Sequence, residues 1–109
     1  MEKGLKEIVR ASTEPTDGGL VALTREMTIQ NRFGIHARPA ALFVKTANRF
    51  QSDVSVGKDG QRVSGKSIIG LMTIEGYQGA VLRVTASGPD AGEALDAIED
   101  LIQQKFFED

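Results

Sequence analysis

Residues 27–47, MTIQNRFGIHARPAALFVKTA, decide the fold, because a strand pattern changes into a helix pattern within them. Met27, Ile29 and Asn31 alternate with residues of the opposite face, which is the period of a half-buried strand. Gly34 then interrupts the alternation and permits a turn with positive φ. The stretch therefore predicts a strand that ends in a tight turn.

A helix is predicted to begin directly after this turn, at Ala37. Pro39 falls in its first turn, where the missing N–H of proline is tolerated. Apolar residues then recur at helical spacing, at Ala40, Phe43, Val44, Ala47 and Phe50.

The rest of the chain continues the succession of strands and helices. Asp59-Gly60 is a strong signal for a two-residue hairpin turn, and Ser67 is a favoured N-cap. We predict strands at 53–58, 61–64 and 80–86, a short helix at 67–74 and a terminal helix over 91–102. The order β-α-β-β-α-β-α with tight turns predicts an α+β fold. We expect an open-faced sandwich, with a four-stranded, mainly antiparallel sheet and three helices on one face.

Composition excludes several classes of protein. The 109 residues are 40 % hydrophobic and 26 % charged, as in an ordinary globular domain. The absence of cysteine excludes a disulfide scaffold, a thiolate metal site and a cysteine nucleophile, and the single histidine excludes a multi-histidine metal site. No apolar run approaches the roughly 18 residues that span a bilayer, and the N-terminus lacks a signal sequence. We expect a cytoplasmic protein without membrane association, metal or organic cofactor.

Charge is distributed unevenly along the chain. The formal net charge of −2 argues against a nucleic-acid partner. Residues 26–85 carry eight basic and four acidic side chains, whereas residues 86–109 carry one basic and seven acidic side chains. This distribution favours an acidic partner or a phosphorylated ligand on the basic part. The alternative is that the last helix simply has a solvated outer face.

The first 25 residues are interpreted as an N-terminal extension and linker, and residues 26–109 as the folded domain. Residues 12–19, STEPTDGG, have linker composition. Residues 20–23 are a candidate extension of the first strand. If the extension packs on the domain, its expected anchors are Leu5, Ile8 and Val9.

The stretch GIHARP, residues 34–39, places a histidine at the mouth of the predicted helix. The first backbone N–H groups there, those of Ala37 and Arg38, lack intrahelical partners and attract anions. The positive end of the helix dipole disfavours protonated imidazole, and neutral imidazole is the nucleophilic form. A phosphoryl group on His36 would therefore meet free N–H groups and the Arg38 guanidinium. The alternative reading of His36 is an ordinary surface histidine.

GIHARP resembles the active-site signature of HPr, the histidine-containing phosphocarrier family of the bacterial phosphoenolpyruvate:sugar phosphotransferase system. The resemblance continues through AALFVK (residues 40–45) and GKSIIGLM (65–72), which is similar to the regulatory-serine segment of the family. It ends in an acidic terminal helix and covers about residues 26–106. The extension departs from the family, whose typical members begin near the position of Met27.

The resemblance implies a carrier that is a substrate of other enzymes rather than an ordinary catalyst. His36 corresponds to the histidine that takes a phosphoryl group from enzyme I, itself charged by phosphoenolpyruvate. The group then passes to IIA components of transporters. Arg38 matches the arginine that stabilises the phosphate. We expect a monomer.

The resemblance also implies a regulatory site and a docking patch. Ser67 matches the serine that HPr kinase/phosphorylase phosphorylates from ATP, and a transcription regulator is a further expected partner. Ile69 and Met72 are expected to form an exposed apolar patch for partners. Helical spacing places Ile68 and Leu71 in the core instead.

Other functions remain open at this point. A regulatory binding module, in a nitrogen-related or catabolite-control role without sugar transport, would depend on Ser67 and not on His36. A nucleic-acid-binding α+β domain would use Arg32, Arg38, Lys45, Arg49 and Lys66. The net charge and the lack of an aromatic pair on a strand oppose this last reading.

Overall fold

The computed structural model describes residues 22–108, and this part of the chain forms four strands and three α-helices. In chain order they are β1 (Ala22–Thr28), α1 (Ala37–Ala47), β2 (Asp53–Lys58), β3 (Gln61–Ser64), α2 (Ile68–Thr73), β4 (Val81–Ser87) and α3 (Ala91–Gln103). A short 3₁₀ turn, Lys105–Phe107, follows α3. The α+β class and the predicted element order are confirmed.

The four strands form one open antiparallel sheet in the order β1-β4-β2-β3. The central strand β4 pairs with both β1 and β2, which are its neighbours on either side. Asp59 and Gly60 connect β2 to β3 with φ angles of 51° and 83°. Two consecutive left-handed residues are what a two-residue hairpin turn requires, so the predicted hairpin is confirmed.

One face of the sheet is apolar and is covered by the helices. In β4, Leu82, Val84 and Ala86 are fully buried and alternate with residues that face away from the core. Phe43 of α1 and Ile98 of α3 are fully buried in the same core. The sheet thus has one apolar face under helices and one polar face, as the alternation predicts. Among residues 22–108, no helix is long and apolar enough to cross a membrane.

The first strand begins four residues before the predicted start of the domain. Ala22 pairs with Ser87 of β4, so β1 runs across the proposed division between residues 25 and 26. Of the candidate extension over residues 20–23, the part from Ala22 onwards is in the strand. β1 starts earlier than predicted because its backbone pairs with β4. The polar residues at 24–26 carry no strong strand signal of their own, so the sequence did not indicate this start.

Side chains of these early residues also contact the domain. Arg25 donates hydrogen bonds to Asp96 and Glu99 of α3, at 2.9 and 2.8 Å. Leu23 packs against the core. The predicted anchors of the extension, at positions 5, 8 and 9, lie outside the described residues. The division into an extension and a domain stays a prediction.

β1 ends at Thr28 and α1 at Ala47, short of the predicted Asn31 and Phe50, and the other boundaries differ little from those predicted. β2 and β3 have the predicted limits, and β4, α2 and α3 differ by one residue at one or both ends. Ser67 precedes α2 as its N-cap, and its side-chain oxygen accepts a hydrogen bond from the Gly70 N–H at 3.0 Å. This is the capping role that serine commonly has.

Candidate functional site

The turn that leads into α1 lies closely against residues 76–77. Ile35 donates its N–H to the Gly76 carbonyl at 2.9 Å, and its side chain is buried. Gly34 has a φ of +66°, and a Cβ at this position would overlap the Gly76 carbonyl and lie 2.8 Å from the Cα of Tyr77. Position 34 therefore requires glycine. The close contact with residues 76–77 determines where the chain enters α1.

His36 is the N-cap of α1, with extended backbone angles and no hydrogen bond from its side chain to the helix. Its carbonyl accepts the N–H of Ala40, which starts the helix. The imidazole is therefore not tied to the helix backbone, and 45 % of the side chain is exposed. Ala37 and Arg38 are the first two helical residues, so their N–H groups lie at the positive end of the helix dipole beside His36.

A recess of about 280 Å³ opens beside the imidazole. It is lined by Arg32, Phe33, His36, Arg38 and Glu108. The recess thus combines two arginine side chains and a helix N-terminus, which favour an anion, with the Glu108 carboxylate, which opposes one.

The carboxylate of Glu108 is a direct partner of the histidine. Its Oε2 lies 3.1 Å from His36 Nε2, although the two residues are 72 positions apart in sequence. Asn31 donates a hydrogen bond to the other carboxylate oxygen at 3.0 Å. A carboxylate only accepts hydrogen bonds, so this contact assigns Nε2 as a protonated ring nitrogen.

An exposed aromatic ring completes the surroundings of the histidine. Phe33 is 70 % exposed and meets His36 edge-on, with ring centroids 6.4 Å apart. The Arg32 guanidinium lies 5.2 Å from the centroid of the Phe33 ring. The rim of the recess therefore offers both an apolar and a cationic surface.

The sequence was compared with models of known protein families. The family model described as "PTS HPr component phosphorylation site" matches residues 23–104. The chain belongs to the PTS HPr family.

Relatives of the HPr family match most of the described chain. It is 44 % identical over 87 residues to the phosphocarrier protein HPr of Treponema pallidum, a match that covers 80 % of this chain and 99 % of the relative. It is 42 % identical over 81 residues to the HPr-like protein Crh of Bacillus subtilis, covering 74 % and 95 % of the two chains. The crystal structure of HPr from Thermoanaerobacter tengcongensis superposes with a TM-score of 0.76 at 46 % identity, covering 79 % and 97 %.

The predicted site residues occupy two separate places in this HPr fold. His36 and Arg38 line one recess. Ser67 is half-buried at the start of α2, which packs against α1. Ile69 is 76 % and Met72 is 46 % exposed, so both lie on the surface as predicted.

The prediction for Ile68 is wrong. Ile68 was expected in the core with Leu71, but it is 42 % exposed, whereas Leu71 is fully buried. The stripe is buried at Leu71 within α2 and at Ile74, the C-cap, whereas Ile68 is the first residue of this six-residue helix. Helical spacing identifies the stripe but not where the core ends along it.

Sequence reasoning did not find Asn31 or Glu108 as site residues. Asn31 is buried, as the predicted alternation implies, but it lies beyond β1, which ends at Thr28, and the sequence assigned it no role. Glu108 was counted only among the acidic residues of the last segment, since no local pattern links it to His36. Among residues 22–108, no group of three or more His, Cys, Asp or Glu side chains could hold a metal ion.

Proposed function

We propose that this HPr family member is a cytoplasmic phosphocarrier of the phosphotransferase system. His36 accepts a phosphoryl group from phosphorylated enzyme I and passes it to a IIA component. The observation that carries this proposal is the exposed imidazole at the N-terminus of α1, in one recess with Arg38. The histidine is open to a protein donor while the recess supplies positive charge for the phosphate.

The chemistry requires only one group to move. The lone pair of a His36 ring nitrogen attacks phosphorus, and the bond from phosphorus to the donor breaks with its electron pair staying on the donor. The phosphate oxygens then lie near the free N–H groups of Ala37 and Arg38 and the Arg38 guanidinium. The same step in reverse delivers the group to the acceptor. Because the surroundings stabilise the phosphate without shielding it, the site suits transfer rather than storage.

The docking surface is proposed to include the exposed apolar side chains of α2. Ile69 and Met72 are surface residues of a helix that packs against α1, whose first residue follows His36. Exposed apolar side chains suit a protein partner, and the excess of basic over acidic residues within 26–85 favours an acidic one. Enzyme I and IIA components would use this patch in turn.

Ser67 is proposed as the regulatory site, phosphorylated by HPr kinase/phosphorylase. Its hydroxyl caps α2 directly beside the proposed docking patch. A phosphate there is tolerated at a helix N-terminus, so the fold stays intact. Its negative charges would repel an acidic partner at the patch and slow transfer to His36.

The direct test is phosphorylation in solution. The full chain is incubated with phosphoenolpyruvate and enzyme I, and its intact mass is measured before and after mild acid. We expect one acid-labile phosphoryl group in the wild type and none in His36→Ala. Arg38→Ala should slow transfer, while Arg62→Ala, which removes an arginine of the hairpin bonded to Ser55, should not. A folded wild type that gains no mass refutes the carrier function.

A second experiment addresses Ser67. Ser67→Asp retains a side chain that can cap α2 and adds a negative charge at the proposed patch. We expect a higher KM for enzyme I in this variant, with an unchanged far-UV spectrum. Ser64→Asp adds the same charge three residues away, on β3, and serves as the matched control. Equal KM values in the two variants would contradict the proposed regulation.

The relation to Crh of Bacillus subtilis supports a second candidate, a regulatory binding module. In that function phosphorylated Ser67 would dock on a transcription regulator, and His36 would be dispensable. Binding of the phosphorylated chain to such a regulator that survives His36→Ala, together with no acid-labile phosphate in the wild type, would favour it.

A further inference from the structure

The polar face of the sheet, which the helices leave uncovered, carries a groove of about 530 Å³. Residues of all four strands line this sheet-face groove, and none of them lines the His36 recess. Gly57 of β2 pairs with Arg62 of β3 on one side and with Arg83 of β4 on the other. Directly paired residues of neighbouring strands point to the same face. Two arginines therefore flank a residue that has no side chain.

Gly57 leaves a gap between these arginines. Neighbouring strands lie about 4.8 Å apart, so the backbones of Arg62 and Arg83 are separated by about 10 Å. A Cβ at position 57 would meet only the carbonyls of Gln61 and Arg83, at 3.5 and 3.9 Å, and Gly57 does not have a left-handed φ. The fold itself thus does not require glycine here. Glycine weakens a strand interior and often marks the close approach of a ligand.

Neither arginine is neutralised by a hydrogen-bonded carboxylate. Arg62 donates from Nε and one terminal nitrogen to the Ser55 hydroxyl, at 3.2 and 3.1 Å, so it holds a neutral group. Arg83 lies 4.0 Å from the carboxylate of Glu26, which is too far for a hydrogen bond. Both guanidinium groups therefore keep donors and positive charge for an anion.

Two carboxylates also line the groove and oppose an anion there. Asp59 lies in the hairpin turn, where the Lys58 ammonium holds it at 3.0 Å. Glu26 lies on β1 and pairs with Arg83, so Arg83 stands between it and Gly57. The lining side chains still carry one more positive than negative charge. The positive charge is concentrated on the two sides of Gly57.

A row of hydroxyl groups runs beside the arginine row. Thr24, Thr85, Ser55 and Ser64 pair in this order across the four strands. Thr24 and Thr85 line the groove, and their hydroxyl oxygens lie 2.9 Å apart. Hydroxyl groups both donate and accept hydrogen bonds, so they suit a polar group that is attached to an anion.

We propose that the sheet-face groove binds a small phosphate monoester, with the phosphate over Gly57 between Arg62 and Arg83. Guanidinium groups bind phosphate oxygens through paired N–H donors. Thr24 and Thr85 hold the polar remainder of the molecule. The volume falls within the range of about 300–1,000 Å³ that is typical of small-molecule pockets. Binding there requires no phosphoryl transfer at His36.

The test is a titration of the full chain, labelled with nitrogen-15, with glycerol 3-phosphate. We expect saturable shifts of the amide signals of Gly57 and Arg83 and of the side-chain Nε–H signals of Arg62 and Arg83. The amides of Ala37 and Arg38 report on the His36 recess, which also attracts anions, and their shifts are fitted separately.

Two variants change the groove in different ways. Arg83→Ala removes one of the two cations, whereas Gly57→Val fills the gap without changing the charge, with a residue that is favoured in strands. We expect the dissociation constant to rise at least about 10-fold in each, as for the loss of a charge-assisted hydrogen bond. Arg49→Ala is the matched control, because it removes an exposed arginine that lies over the Phe50 ring, outside the groove. It should bind like the wild type.

Three results would overturn the proposal. The first is a set of shifts confined to the His36 recess. The second is an equal dissociation constant in Arg83→Ala and Arg49→Ala, because the attraction would then be a general effect of positive charge. The third is equal binding of inorganic phosphate, which we expect to bind more weakly since it cannot reach the hydroxyl row from a position over Gly57. Amide spectra of each variant confirm that the fold is retained.

Discussion

Replacing Gly34 by alanine tests how the turn before His36 is held. Gly34 has a φ of +66°, and an added Cβ would overlap the Gly76 carbonyl, which accepts the Ile35 N–H. Gly60 provides a matched control, since its φ is +83° and a Cβ there would meet nothing within 4 Å. The difference between the two alanine variants therefore isolates the close contact from the backbone angle.

The expected magnitudes follow from these contacts. In either variant the left-handed angle costs about 1–2 kcal/mol, partly offset by about 0.4–1 kcal/mol from a less flexible unfolded chain. Gly60→Ala should therefore lose about 1 kcal/mol of stability. Gly34→Ala has the further overlap with backbone atoms, which cannot rotate away, of about 1–3 kcal/mol, and weakens a hydrogen bond of about 0.5–1.5 kcal/mol. We expect a total loss of about 3–5 kcal/mol at Gly34.

Urea unfolding followed by far-UV circular dichroism measures the difference. With an m-value of about 1–3 kcal/mol/M, the midpoint of Gly34→Ala should lie about 1–2 M below that of Gly60→Ala. Phosphorylation by enzyme I should also slow in Gly34→Ala under conditions where both variants are folded, because the turn sets the position of His36. Midpoints within about 0.3 M of each other would refute the reasoning about the close contact.

Three further predictions concern the rest of the structure. Phe106→Ala should lower stability by about 3–5 kcal/mol, as for other fully buried phenylalanines, while Phe107→Ala, at an exposed position, should change it by less than about 0.5 kcal/mol. Ser67→Ala should cost about 0.5–2 kcal/mol in thermal or urea unfolding, because it removes the hydrogen bond that caps α2. The pKa of Asp90 is lowered, first by the Ser52 hydroxyl and then by the Gln51 N–H, so its stabilising effect is present above the unfolded pKa and is lost as pH falls through the lower folded pKa. Asp90→Asn should therefore be less stable than the wild type at neutral pH, and the gap should close on acidification below about pH 4; a gap independent of pH would contradict this assignment.

The sequence by itself determined most of the secondary structure and predicted the centre of the candidate site. Strand alternation, the Asp59-Gly60 turn and the cap at Ser67 are properties of neighbouring residues, so they can be recognised without knowledge of the fold. His36 and Arg38 are also neighbours, and the helix that begins between Gly34 and Pro39 aligns them with its free N–H groups. Local chemistry and the family resemblance together therefore predicted this part of the site.

The tertiary structure alone decided which distant groups join that centre. Glu108 reaches His36 across 72 positions through a strained turn that a buried Phe106 holds in place. The start of β1 at Ala22 depends on pairing with β4, and the exposure of Ile68 depends on where the core ends. In each case the deciding energy comes from a contact between segments far apart in the chain. Periodicity and turn signals describe only one segment at a time, so they carry no information about such contacts.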